Sequence, residues 1–265
     1  MQDARIIFLH HSTGESVWNG GGRKLSARIA RKLNSFLGLR LPVSGLVPQL
    51  LAEHNRKSGR RHQIVERAFP KAKPYGWRNY PFDYYNIWVK NAGTEPFREE
   101  PTLELLTRNY NVVVFKHCFP VSNIGPDKSP DVNDDYRSLA NYKLQYVAMR
   151  EKFHEFPETR FIVWTGAAQV ERRTTPDEAK RAREFFDWVR HDWATQPGNI
   201  FLWDFYGLQT EGQLYFQPQY AVSPENSHPN ESFSRSVARS LLQRVVDVVE
   251  SNGTSTDIAG QPKKS

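Results

Sequence analysis

With a single cysteine, Cys118, among 265 residues, the chain has no internal disulfide available to it, and nothing calls for an oxidising compartment. Cys118 follows an apolar run, the usual setting of a small buried hydrophobe rather than of a nucleophile. Long apolar runs are missing too: no stretch of about 18 apolar residues occurs that would span a bilayer. The opening MQDARIIFLHHS has neither a basic start before an apolar stretch nor a cleavage site. These absences lead us to expect a soluble, cytoplasmic protein with no membrane partner, although a secreted chain trimmed of its leader would read the same way.

Metal-binding spacing is equally scarce. There is no H-E-x-x-H and no cysteine cluster. His10 and His11 are neighbours on an expected strand, so they point to opposite faces and do not converge on one ion. No metal and no other cofactor is expected. A glycine-rich phosphate loop is also lacking, because NGGGRKL at Asn19 to Leu25 comes nearest and does not have P-loop spacing.

The chain is basic, with 36 Lys and Arg against 29 Asp and Glu and a formal charge of +7, which raises nucleic acid as a partner. The distribution argues against it. In DEAKRAREFFDWVRHD the charges alternate at helical spacing, as on a solvated face laced with local ion pairs. The one dense run, NRKSGRRH at Asn55 to His62, holds no stacking aromatic and reads as a solvated loop. We expect no nucleic-acid partner. Aromatic residues, by contrast, make 13% of the chain, enough both to fill a core and to line a site.

Short β-type runs alternate with stretches of helical period, the signature of a parallel sheet covered on both faces. The strands expected are Arg5 to His10, Tyr84 to Lys90, Val112 to His117, Arg160 to Thr165 and Asn199 to Trp203. Helices are expected at Lys24 to Phe36, Leu46 to Arg56, Thr102 to Thr107, Tyr136 to Glu155, Pro176 to Trp193 and Glu231 to Ser251. The fold class is therefore α/β, a three-layer sandwich around a central, mainly parallel five-stranded sheet. Residues 1–251 form one expected domain, and the polar stretch 252–265 is expected to be a flexible tail. Two long loops rich in aromatics and proline, Phe69 to Phe82 and Phe119 to Asp135, have the size and composition of functional loops.

Two segments carry candidate chemistry. RIIFLHHSTGES sets Ser12 just past the carboxyl end of the first strand, where open α/β sheets bind ligands, with Gly14 beside it to let the backbone bend. SPENSHPNES sets His228 three residues after Glu225 and ahead of a helix. A carboxylate there can accept one imidazole proton and fix the tautomer, so that the other nitrogen takes the proton of a serine hydroxyl, itself a poor nucleophile while un-ionised.

In order and context these segments resemble the SGNH (GDSL-type) hydrolase family: a serine after the first strand in FLHHSTG, a glycine in NIWVKNAGTE, an asparagine in HCFPVSNI and a histidine in ENSHPN. The resemblance runs from Arg5 to about Val249 and implies a flavodoxin-like SGNH hydrolase fold. It also implies roles. Ser12 is the nucleophile, His228 the base and Glu225 its acid. The oxyanion is held by the amides of Ser12 and Gly93 and by the side chain of Asn123, with Ser122 or His117 as alternatives for that last place. The implied activity is that of a serine esterase or deacetylase.

The aromatic segment KPYGWRNYPFDYYNIW, together with Phe119, Trp164 and Trp203, suits sugar faces or acyl chains. Its arginine, asparagine and tyrosine favour a polar substrate, an O-acyl group on a carbohydrate or a small polar ester. His11, His117, Trp77 and Trp164 are the candidate substrate-binding residues. The competing expectation is a catalytically silent SGNH-like module that binds glycans. Oligomeric state is not legible in the sequence.

Overall fold

The computed structural model describes residues 3–21, 45–76, 78–195 and 198–263. Five strands, β1 (Arg5–His10), β2 (Gln63–Ala68), β3 (Val112–Lys116), β4 (Arg160–Trp164) and β5 (Ile200–Trp203), form one sheet in the order β2-β1-β3-β4-β5. Every pairing is parallel. β1 and β3 to β5 are apolar because both of their faces are covered; all five residues of VVVFK in β3 are buried.

Helices form a layer on each side. On one lie α1 (Ser12–Asn19), α2 (Leu46–Ser58) and the long α8 (Glu231–Ser251), which pack on each other. On the other lie α3 (Pro81–Tyr85), α4 (Leu103–Asn109), α5 (Leu139–His154) and α6 (Pro176–Trp188), with α5 packed on both α3 and α6. A short α7 (Phe205–Thr210) and a hairpin of β6 (Ala221–Ser223) and β7 (Asn226–Pro229) precede α8. The fold is thus α/β with a central five-stranded parallel sheet flanked by helices. Its chain crosses to opposite sides of β1 on the way to β2 and to β3, which opens a crevice at the β1/β3 carboxyl edge.

Aromatic side chains do much of the filling. On one face Phe8 stacks on Trp164, which meets Trp203 edge-on. On the other Phe115, Trp88, Tyr84 and Phe153 interlock. Helix entry follows the sequence signals: Thr175 and Glu178 form a reciprocal capping box before Pro176, and Asn230 caps α8 through the Phe233 amide.

The second strand differs from expectation. Tyr84 to Lys90 is helical, α3 running into a wider turn at Asn86–Lys90, and buries Pro81, Tyr84, Tyr85 and Trp88 at helical spacing. The place of the second strand is taken by QIVERA, Gln63–Ala68, at the sheet edge, where only one flank is paired and polar residues are tolerated.

The stretch expected to be a flexible tail is also corrected, as far as it is described. A buried pair, Arg244 and Asp247, gathers it in. Asp247 accepts from the Ser255 and Thr256 amides and from the Thr256 hydroxyl, while Arg244 donates to the carbonyl of Gly253. Further along, the Ile258 carbonyl accepts from the Asp204 amide, and Ser240 donates to the Ala259 carbonyl. Charge-assisted hydrogen bonds hold a segment whose apolar area alone would not. The helix expected at Lys24 to Phe36 lies outside the described residues.

Candidate functional site

β1 ends at His10, His11 stands at the helix cap position, and Ser12 begins α1. Its hydroxyl therefore rises from the first turn of a helix, where backbone amides have no partner within the helix. Gly14 is required here, since a Cβ would run into the ring of His10. That ring is itself held, Nε2 by Glu66 at 3.0 Å and Nδ1 by the His11 carbonyl at 3.2 Å.

His11 is a strut rather than a substrate contact. It is buried, and its Nε2 donates to the Pro70 carbonyl at 2.6 Å, tying the exit of β1 to the segment after β2. Burial pushes its pKa down to about 4, with Lys116 adding to the effect, so the ring is neutral at ordinary pH.

The second element of the site is the turn after β3. Ser12 Oγ lies 3.7 Å from Cys118 Sγ. The Cys118 amide donates to the Asn79 carbonyl at 2.8 Å, and Asn79, in left-handed backbone, donates its side chain to the Phe69 carbonyl at 2.6 Å. The third element is the β6–β7 hairpin, against which α1 packs. Within it the His228 ring meets Phe119 edge-on, with centroids 5.1 Å apart. The fold thus brings Ser12, Cys118, Phe119 and His228, which span 216 positions of sequence, towards one rim of the sheet.

The orienting partner of His228 is not Glu225. His228 Nδ1 lies 2.7 Å from Asn226 Oδ1, which also accepts the His228 amide at 3.1 Å. Glu225 is exposed and pairs with Arg172 at 2.5 Å. The hairpin turns between Ser223 and Asn226, which directs residue 225 outward and leaves residue 226 to reach back to the ring. The signal for Asn226 was in ENSHP all along, because asparagine two residues ahead readily folds its side chain onto the following backbone.

Two of the expected oxyanion donors, Gly93 and Asn123, have partners of their own. Gly93 follows a helical turn instead of a strand, and its amide donates to Glu104 Oε2 at 3.2 Å; Glu104 pairs with Lys152 at 2.8 Å. That amide is committed in the α4–α5 layer. Asn123 is nearer the site: its Oδ1 accepts from Gln169, whose own carbonyl oxygen accepts from Ser227, the residue before His228. Ser122 is buried and donates to the Ala167 carbonyl.

His117 and Trp164 are corrected to core residues. His117 is enclosed by Tyr84, Phe115 and Tyr146, and burial holds its pKa well below the ordinary histidine range. Trp164 lies between Phe8 and Trp203. Trp77 lies outside the described residues. Lys116, the last residue of β3, is fully buried, which lowers the pKa of its amine.

Beside the turn after β3 opens a cleft of about 520 Å³, and Pro120 and Asn123 form its near wall. Both long loops singled out in the sequence contribute to it, Arg78 and Tyr80 from one, Asp135 from the other. The sequence pointed to both segments, through the arginine of KPYGWRNYPFDYYNIW and the loop ending at Asp135, but a charged loop residue carries no periodic signal that would pair Arg78 with Asp135 across one cleft.

At the opposite, amino-terminal edge of the sheet, His54, His62 and Glu250 stand close enough together to hold a metal ion. The hydrogen bonds point elsewhere. The Ala4 amide donates to His62 Nδ1 at 2.9 Å, so the neutral ring carries its proton on Nε2, the atom that would have to ligate, and gives it to Glu250 at 3.0 Å. The group reads as a polar clasp between α2, β2 and α8.

No family model matches the chain, and no curated protein does. A solved structure is similar in fold at a TM-score of 0.39 and 11% identity, over 93% of this chain and 66% of that one. It was described under the words "the active site of a carbohydrate esterase displays divergent catalytic and non-catalytic binding functions".

Proposed function

We propose that the protein is a serine ester hydrolase of the SGNH type that removes O-acyl groups from a carbohydrate or a small polar ester. One observation carries the reading: a serine on the first turn of the helix after β1 shares a rim with a histidine whose Nδ1 is already fixed by a side-chain carbonyl. In this reading Nδ1–H donates to Asn226, which leaves Nε2 as the atom that takes the Ser12 proton while Oγ attacks the ester carbonyl. A carboxamide fixes the tautomer as a carboxylate would, although it stabilises the imidazolium less. The Ser12 amide and the Asn123 side-chain amide receive the oxyanion, each donor worth roughly 3 kcal/mol in the transition state. His228 returns the proton to the leaving alcohol, and water repeats the cycle on the acyl-enzyme.

A specific observation favours the rival reading of a silent glycan-binding module: the Ser12 hydroxyl rests on the Cys118 thiol, and the Gly93 amide is spent on Glu104. Hydrolysis of p-nitrophenyl acetate by the purified protein, beside Ser12→Ala and His228→Ala, separates the two. The enzyme reading expects each substitution to lower turnover by several orders of magnitude, since nucleophile and base act as a unit. Unaltered turnover in either variant refutes it.

A further inference from the structure

The cleft beside the turn after β3 is walled by side chains that can both give and accept hydrogen bonds. Arg78 and Arg137 supply guanidinium donors, Asp135 and Glu178 supply carboxylate acceptors, and Tyr136 adds a phenol. The two positive and two negative charges of these lining side chains cancel, and Lys128, a further cation, is engaged 3.9 Å from the centre of the Tyr136 ring. Arg78 is held loosely, 3.6 Å from Asp135 and 4.0 Å from the buried Asp83, distances beyond a hydrogen bond. Its N–H groups keep bonding capacity for a ligand. Glu178 spends only Oε2 on the cap of α6.

A volume of about 520 Å³ falls within the range of small-ligand sites, about 300–1,000 Å³. Position matters as much as chemistry. Cys118, which touches Ser12, and Asn123, which lines the cleft, are joined by one tight helical turn, Phe119–Ser122. At a rise of about 2 Å per residue these five steps cover about 10 Å.

We infer that this cleft is a sugar subsite for a neutral, hydroxyl-rich glycan, holding a ring adjacent to the one that bears the scissile ester. Paired guanidinium and carboxylate groups match the neighbouring hydroxyls of such a ring, each of which donates once and accepts. The inference rests on the reading of Ser12 and His228 given above for the place of the ester, but the binding half stands without it.

The test uses the full-length protein with Asp135→Ala and Arg137→Ala, both exposed side chains whose loss leaves the core alone. Turnover of a partially acetylated xylo-oligosaccharide is measured against that of p-nitrophenyl acetate. The ratio of the two kcat/KM values should fall about tenfold in each variant, the equivalent of one or two ligand hydrogen bonds. A ratio unmoved in both overturns the subsite. Should the wild type hydrolyse neither ester, the nucleophile assignment fails by itself, and titration with unacetylated xylohexaose judges the cleft. Binding by the wild type that is lost in Arg137→Ala supports the subsite, and absence of binding overturns it. Affinity that collapses between low and moderate salt overturns the neutral-ligand assignment.

Discussion

Asp83 offers the sharpest quantitative test. It sits in α3, fully buried, with Arg78 as its charged neighbour 4.0 Å away. Burial pushes its pKa up to about 7 from the ordinary 3.8, against the opposing pull of Arg78 and of the Tyr80 and Asn79 amides. In the unfolded chain the group ionises near pH 4, whereas in the folded protein it keeps its proton until about pH 7. Between those limits the folded state binds the extra proton, so stability falls as pH rises and levels off above 7. At about 1.4 kcal/mol for each tenfold change in proton affinity, the loss comes to about 4 kcal/mol. Asp83→Asn has no proton to lose. Urea unfolding of both proteins at several pH values from 4 to 8 isolates this group, since all others contribute equally to the two. The difference in unfolding free energy should move by about 4 kcal/mol in favour of the variant across that range. A difference constant to within about 1 kcal/mol would refute the assignment of a buried, proton-retaining carboxyl.

Further expectations concern the site and its supports. His11, depressed to about 4, behaves oppositely to Asp83: its contribution is whole above pH 6.5 and is lost as pH falls towards 4, so His11→Asn should flatten acid unfolding in that window, measured by the same titration. Asn226→Ala should lower kcat on p-nitrophenyl acetate by tenfold or more, and Glu225→Ala by less than about twofold, because the imidazole leans on the carboxamide; the reverse order would restore Glu225 to the site. Asp247→Ala should cost about 3–5 kcal/mol in a urea melt by stranding Arg244 as a buried lone charge, and should open the 252–263 segment to hydrogen exchange; unchanged protection there would refute the clasp.

Much of the architecture is written in local pattern. Apolar runs flanked by turn residues mark β1, β3, β4 and β5, since a strand covered on both faces has no polar position to spend. Ser12 and His228 are legible for a similar reason: each stands at a boundary, strand to helix or loop to helix, that the sequence punctuates with glycine, proline or a capping residue. Edge strand β2 was hidden by the same physics, as a half-paired strand tolerates QIVERA, and the aromatic run at 84–90 reads as strand until its burial at positions three and four apart is seen.

Sequence alone determined the layered α/β class, the parallel sheet and the two residues worth testing as nucleophile and base, because these depend on periodicity and on neighbours in the chain. Only the tertiary structure decided which side chain meets which. Asn226 Oδ1 meets the imidazole Nδ1 where Glu225 was expected, Cys118 reaches Ser12, the Gly93 amide donates to Glu104, and Arg244 with Asp247 fastens a polar tail. Such pairings are set by how a hairpin turns or how two helices abut, and those orientations are fixed by contacts between residues far apart in sequence, which no local pattern encodes.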